Sequence, residues 1–424
     1  MKYLFVACLL CLSVLSAVAK VPAMNKIRLT NNWEYLKGDL GGIWEAVRPA
    51  APGSSEAVPI WQPVTLPHCF NAEDAVDPDV NYYEGPGWYK TLLAIDNPYR
   101  NGRIVLDFDG AGQKTDVYVY TTHVGSHVGG YDSWNVDITD AVKAFLGSKD
   151  AERFKGKVPL SIRCDNSRDL EMIPSDLADF NIYGGLYRYL NLVYLPEVSF
   201  EQIRLESSLS SNLKEGILKV KTSFYNPEDI RKADVTVSVY DVDRKPVFSK
   251  TLEGILPLGD QLLAEMKIKN PVLWDVDVPQ LYTCELTVKT PDQTFTTEER
   301  FGFRHTEFKD KGPFFLNGKR LLLRGTHRHE DHAGVAQAMT EDMMRREMRM
   351  MKDMGVNFIR LGHYQQSEII LDLCDELGIL VWEEIPWCRG GLGGDVYKKQ
   401  ARRMLANMIV QHHNQSGCHH LGVG

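Results

Sequence analysis

The sequence predicts a multidomain β plus α/β chain: two all-β domains in series, followed by βα units of a barrel. Three observations predict it. Short alternating segments separated by turn residues recur from about 26 to 198. A second alternating series fills 199–305, the length and strand character of an immunoglobulin-like sandwich. Near 313 the pattern changes to short apolar strands followed by helical periodicity.

The first element is a leader. "MKYLFVACLLCLSVLSAVAK" has a basic Lys2, an apolar run from Tyr3 to Leu15, and Ala17-Val18-Ala19. That is the pattern of a secretory signal peptide, residues 1–19, cut before Lys20. The run is shorter than the ~20 residues of a spanning helix, and no other segment is apolar enough to span. The expected location is secreted or periplasmic, in a bacterial envelope.

In the first domain, 26–198, "RIVLDFDG", "TDVYVY", "VPLSIRC" and "YLNLVYL" read as strands, with "GAGQ" and "DNSRD" as turns and "GSSEA" near 53 as a loop. Their spacing fits a sandwich or jelly roll. In the second, "GILKVKTSFY", "ADVTVSVYDV" and "LYTCELTVKT" alternate strongly. In the third, 306–414, Leu321 to Leu323 reads as a continuous apolar strand. "TEDMMRREMRMMKDMG" reads as a helix with Thr340 as N-cap, Gly355 as stop and a core stripe of Met344, Met348 and Met351. "VNFIRLGH" and "ILVWEEIP" read as strands. "SEIILDLCDELG", stopping at Gly378, and "YKKQARRMLANMIVQHHN" read as helices. This β-α-β-α-β-α order implies parallel strands; three βα units cannot close a barrel, which needs about eight.

Composition excludes some functions. The 424 residues carry a formal charge of −8 and no Lys/Arg-rich block, so nucleic acid and anionic membrane surfaces are not expected partners. Two of the eight Cys lie in the leader. Cys69, Cys164, Cys284, Cys374, Cys388 and Cys418 are scattered without a C-x-x-C pair, so neither a zinc module nor a dense disulfide framework is expected. Cys374 falls in an apolar helical pattern and reads as core.

Each barrel strand ends in polar groups: His327, Arg328, His329 and Glu330; then Arg360, His363 and Tyr364; then Glu383, Glu384 and Trp387. Strand ends at one face of a βα barrel build its active site. "HRHEDH" lacks H-E-x-x-H or related ligand spacing, so substrate hydrogen bonding ranks above metal, and His332 reads as a solvated loop residue. Glu383 and Glu384 are neighbours on a strand. Only one can face the axis, so they are no catalytic pair. Arg360 suits an ion pair with a strand-end acid. Trp387 suits either a sugar-stacking platform or core packing.

These phrases have a family likeness. The chain resembles glycoside hydrolase family 2, the β-galactosidases, β-glucuronidases and β-mannosidases, over essentially its whole mature length. "VTLPHCFN", "YYEGPGWYK", "GGYDSWNVDIT" and "DFNIYGGLYR" are similar to its sugar-binding-like jelly roll. "FGFRHTEF" and "FFLNGKRLLLRGTHRHED" are similar to the junction into its barrel; "MKDMGVNFIRLGHY" and "LCDELGILVWEEIP" are similar to its second and third βα units.

The resemblance implies substrate-binding roles. His329 and His363 would hydrogen-bond the sugar, and Arg360 would steady the nucleophile's carboxylate. Glu384 would be a pocket acid, and Asp179 an acid extended by the first domain. Gln365 departs from a frequent proline. "WCRGG" lacks the Glu and His that ligate magnesium in some β-galactosidases, so no metal and no cofactor are expected.

The resemblance also implies retaining hydrolysis of a β-linked glycoside or oligosaccharide, galactoside leading, by two glutamates. One is the acid/base, in a Gly-Asn-Glu context after the fourth strand, and the other is the nucleophile, after the seventh. Neither is found in the 424 residues. Both are expected beyond Gly424, so no catalytic residue is assigned and this chain alone is expected to be inactive. A secreted carbohydrate-binding protein using only the β domains is the alternative.

"QSGCHHLGVG", residues 415–424, stands where the fourth strand should follow. Codon degeneracy allows these residues to be encoded by a string that, read one base over, gives Asn-Pro-Ala-Val-Ile-Ile-Trp-Gly-Leu-Gly, the family's fourth strand in register. A one-base insertion near codon 415 is the expectation, and DNA sequence through that codon tests it.

Overall fold

A computed structural model of the chain describes residues 26–49, 59–175, 178–227, 232–389 and 392–419. The expected signal peptide, the loop near 53 and the last residues, 420 to Gly424, lie outside the described residues. So does the expectation that places both catalytic glutamates beyond Gly424.

The first domain is two antiparallel sheets face to face. One runs Lys26–Arg28, Leu190–Leu195, Arg103–Phe108, Trp134–Asp137; the other runs Gln62–Val64, Trp33–Lys37, Pro86–Leu93, Val158–Asp165, Lys114–Val119, Thr122–Val128. Alternation explains the layering. In Lys114–Val119 every second residue is buried, and Val117 and Val119 join Leu160, Ile162 and Leu106 in the core. This is the expected jelly roll.

The second domain packs a three-stranded sheet (Ser199–Leu209, Glu215–Tyr225, Gly259–Lys269) on a four-stranded one (Pro246–Ile255, Ala233–Tyr240, Tyr282–Lys289, Thr294–Phe301). Its core includes Phe200, Val220, Val237, Leu286 and Phe301. This is an immunoglobulin-like sandwich.

The third unit is β1 (Gly325–Arg328), α1 (Glu341–Asp353), β2 (Phe358–Leu361), α2 (Glu368–Leu377), β3 (Leu380–Trp382), α3 (Asp395–Gln411) and β4 (Cys418–His419). The strands are parallel in the order β1-β2-β3-β4, a partial βα barrel. Thr340 caps α1 by accepting from the Met343 N–H at 3.4 Å, and Met344 and Met348 are buried against α2 and the sheet. Gly378 closes α2 at φ 68°. A Cβ there would collide with the Val276 carbonyl oxygen, so glycine lets the sandwich seat on the barrel.

One expectation is corrected. The run Leu321–Leu323 is not a strand, and Leu322 is exposed. Asn357 replaces strand pairing here: its Nδ2 donates to the Leu322 carbonyl at 3.0 Å, and its Oδ1 accepts from the Arg324 N–H at 2.7 Å. After α3 the described residues continue into β4, which pairs with β3 in the fourth strand's position. The Ser416 and Gly417 N–H groups both donate to the Asp375 carboxylate, which anchors the approach to β4.

Where the first domain meets α2 and α3, Lys26 pairs with Asp107 at 2.7 Å beside a cavity of about 20 Å³, room for about one water. Burial pushes the nearby Asp109 carboxyl up to about 7; Asp107 and Glu368 add to the rise, while Lys26 and Arg188 oppose it. A raised folded-state pKa means that stability from this group is complete below the ordinary ~3.9 and is lost as pH rises through about 7. Asp109→Asn should therefore gain on the wild type between pH 5 and pH 8 in thermal midpoint. A difference independent of pH would sink this prediction.

Candidate active site

The period-2 alternation of β1 sorts its strand-end groups. Arg328 and Glu330 turn outward and are buried: Arg328 donates to Glu347 at 3.0 Å and to Gln366. His327 and His329 take the inner side. Across the sheet His327 stands in register with Arg360, and Arg360 with Trp382, so one row of residues floors the site. Trp382 is 41% exposed on that row.

Just past β3 the adjacent acids Glu383 and Glu384 turn to opposite sides. Glu383 lies 2.8 Å from His412 Nδ1, on the side of α3. Glu384 is 2% exposed and faces inward. Its Oε1 accepts from Arg360 Nη2 at 2.6 Å and lies 3.0 Å from His363 Nδ1. His363 Nδ1 also lies 3.0 Å from Arg360 Nη2, so it faces an acceptor in Glu384 and a donor in Arg360, and it donates to the first or accepts from the second according to its tautomer.

The first domain completes the site. Asp179 accepts from the Cys388 thiol at 2.8 Å and pairs with Arg389 Nε at 3.1 Å. The Cys388 hydrogen bond, then Arg389 and His363, hold its carboxyl below the usual range. Phe180 stacks against His363, with ring centroids 6.0 Å apart, and packs on Tyr364 at 5.2 Å.

Burial lowers His329 to about 4; the neighbouring His327, His363 and Arg360 further disfavour its protonation, and Asp179 opposes. Burial also lowers His327, assisted by Arg360 and His363. Both rings are neutral near pH 7, so each can donate one hydrogen bond and accept another, as sugar hydroxyls require.

Behind these groups runs a buried strut. Arg188, from the first domain, gives Nε and Nη2 to Glu330 Oε2 at 2.9 and 2.5 Å. The Glu330 N–H donates to Tyr364 Oη at 3.0 Å, and that hydroxyl lies 3.4 Å from His329 Nδ1. Tyr131 stacks on Tyr364 at 4.2 Å.

Five of the six sequence-derived positions thus converge: Asp179, His329, Arg360, His363 and Glu384. Trp387 does not join them; it packs with Ile385 and Ala401 against Ile173, Tyr397 and Met404 beneath α3. His332 is exposed on its loop. The glutamates near the site are already engaged: Glu330 holds Arg188, Glu383 meets His412, and Glu384 holds Arg360. Sequence reasoning missed Phe180, Trp382, Tyr131 and Arg188. Phe180 and Arg188 lay within the quoted "DFNIYGGLYR", and an arginine in an otherwise apolar-aromatic stretch was the available signal.

Comparison with known proteins adds a family. Residues 40–196, 198–304 and 307–412 match, in order, the models for the glycosyl hydrolases family 2 sugar binding domain, glycosyl hydrolases family 2, and the glycosyl hydrolases family 2 TIM barrel domain. A putative β-glucuronidase of Formosa agariphila is 38% identical over 391 residues, covering 92% of this chain and 44% of that protein. A β-glucuronidase of Bacteroides fragilis is 32% identical over 370 residues, covering 83% of this chain and 51% of that protein.

Among solved structures, Parabacteroides merdae β-glucuronidase with glycerol in its active site superposes with a TM-score of 0.93. It is 98% identical over 95% of this chain and 51% of that one. The chain spans about half the length of the curated relatives it matches. No helix among the described residues is long and apolar enough to cross a membrane.

Proposed function

The chain belongs to glycoside hydrolase family 2, and from that premise we propose that it supplies the sugar-binding half of a retaining exo-β-glycosidase whose substrates are β-glucuronides. The observation that carries the reading is the convergence of Arg360, Glu384 and His363 with His329 and the first domain's Asp179 at the ends of parallel strands. The galactoside expectation yields to glucuronides, because relatives and solved neighbours of high identity are named β-glucuronidases.

In this reading His329 and His363 hydrogen-bond the ring hydroxyls. Arg360, fixed against Glu384, presents a positive charge that steadies the nucleophile's carboxylate. Asp179 closes the pocket from the first domain. The chemistry is displacement at the anomeric carbon: a glutamic acid protonates the leaving oxygen while a second carboxylate traps the oxocarbenium-like carbon. Both glutamates would come from barrel sequence beyond Gly424, so the 424-residue chain by itself is inactive in this reading.

The test is a panel of nitrophenyl β-glucuronide, β-galactoside and β-mannoside. It is run on this chain and on the chain continued by the remaining barrel sequence of the P. merdae enzyme. Turnover is expected only from the continued chain, glucuronide fastest, with H329A and H363A each lowering kcat/KM ~10²-fold or more, as expected for lost transition-state hydrogen bonds. Turnover by the 424-residue chain, or a preference for galactoside, overturns the reading.

The carbohydrate-binding alternative has one observation in its favour. A cleft of about 1000 Å³ opens between the first domain, beside Asn31, Lys37, His68 and Asp74, and Val335 and Ala338 of the barrel unit. Its Trp33 and Tyr35 are buried, however, and offer no open ring face for a sugar. Glycan binding by the 424-residue chain that survives H329A would favour this second reading.

A further inference from the structure

We propose that His327, His329 and His363 form a three-imidazole site for a borderline divalent transition ion, Zn²⁺, which enters at the expense of sugar binding. This goes beyond the glycosidase reading, in which two of these rings serve substrate and His327 has no part.

Two independent features support it. The first is proximity: one ligand nitrogen from each ring lies within 4.8 Å of the others. The ring centroids are 4.9, 5.1 and 5.4 Å apart, and the planes of the His327–His363 and His329–His363 pairs are steeply inclined, at 82° and 68°. Tetrahedral zinc takes imidazole nitrogens at about 2.0–2.1 Å, so the three rings would draw closer around an ion.

The second is the outer shell. Glu384 lies 3.0 Å from His363 Nδ1, and Tyr364 Oη lies 3.4 Å from His329 Nδ1. When Nδ1 donates to such a partner, Nε2 is left with its lone pair for an ion, the arrangement that zinc-ligating histidines use. His327 stands in the β1–β2 ladder opposite Arg360, and His329 and His363 follow within two residues of the ends of β1 and β2.

Arg360, 3.0 Å from His363 Nδ1, opposes a cation here, and its ion pair with Glu384 offsets part of that charge. Imidazole ligands and a tetrahedral opening select Zn²⁺ over the hard ions Mg²⁺ and Ca²⁺. Three protein ligands leave the fourth position open on the side where the sugar would lie, so ion and sugar compete for the same nitrogens.

A second group, Asp179, Cys388 and His363, shares one of these rings. It is the competing location and must be told apart by experiment.

The test uses the 424-residue chain, titrated calorimetrically with ZnCl₂, with Co²⁺ as the spectroscopic probe. The proposal expects saturable Zn²⁺ binding that Mg²⁺ does not displace. It expects tetrahedral Co²⁺ bands without thiolate charge transfer. H327Q and H329Q should each weaken Zn²⁺ binding more than ~10-fold, the least that loss of a ligand should cost, while C388S leaves it unchanged. Absent saturable binding overturns the proposal. So does wild-type affinity in H327Q, or a thiolate band that C388S removes. The wild-type cobalt spectrum keeps the test decisive if a histidine variant fails to fold, and no outcome depends on glycoside turnover.

Discussion

Replacing Arg188 by Met is expected to destabilise the chain by ~3–5 kcal/mol, the cost of leaving the other half of a buried ion pair uncompensated. Arg188 and Glu330 are fully buried, 2% and 0% exposed, in different domains. The guanidinium donates to Glu330 Oε2 through Nε and Nη2, to the Tyr131 and Asp109 carbonyls through Nη1 at 2.8 and 3.2 Å, and to the Gln365 carbonyl through Nη2 at 2.6 Å. Methionine fills similar space but strands a carboxylate and three carbonyls in a dry interface.

Arg188→Lys keeps the charge but has three donors without the planar fork, so it should fall between methionine and wild type. Arg188→Met with Glu330→Leu removes both charges and should regain most of the loss, because replacing both members of a buried pair is often close to neutral. Urea unfolding followed separately by tryptophan fluorescence and circular dichroism checks this, since a three-domain chain need not unfold in one step. A single variant within ~0.5 kcal/mol of wild type, the range of an inert surface change, would show that the pair is dispensable.

Much of this site was legible because it rests on periodicity. Two residues apart on β1 means one face, so His327 and His329 had to share a side. One residue apart in the extended chain leaving β3 means opposite sides, so Glu383 and Glu384 part. The helices around them were equally plain, since Thr340, Ser367 and Gly378 mark ends by local capping that needs no tertiary partner.

What stayed hidden was long-range. Arg188 finds Glu330 across 142 positions, and Asn357 replaces the pairing that the apolar run at Leu321 promised. The residues after Gln415 carry no strand pattern, yet Asp375 and the free edge of β3 draw them into the fourth position. Trp387 was ambiguous for a related reason: a tryptophan after a strand reads alike as platform or core until the partner helix is placed.

The other large effect is expected at Trp274, which couples the sandwich to the barrel. Its indole is fully buried with Val276, Leu316 and Leu380, the last from β3. Nε1–H donates to the Asp375 carbonyl of α2 at 2.9 Å, while its backbone N–H donates to Phe303 of the sandwich at 2.8 Å. The ring is therefore a wedge held at both ends. Trp274→Ala should cost ~3–5 kcal/mol through a cavity that two rigid sheets cannot close.

Trp274→Phe keeps most of the volume and loses one hydrogen bond, so it should cost ~1–2 kcal/mol. The difference between the two reports cavity rather than polarity. Because the Asp375 carboxylate also holds Ser416 and Gly417, loosening α2 at this point should release β4 first. Hydrogen exchange should then show lost protection at 380–382 and 416–419 before the first domain responds. Equal losses for Ala and Phe, or protection lost first in residues 26–198, would refute the wedge.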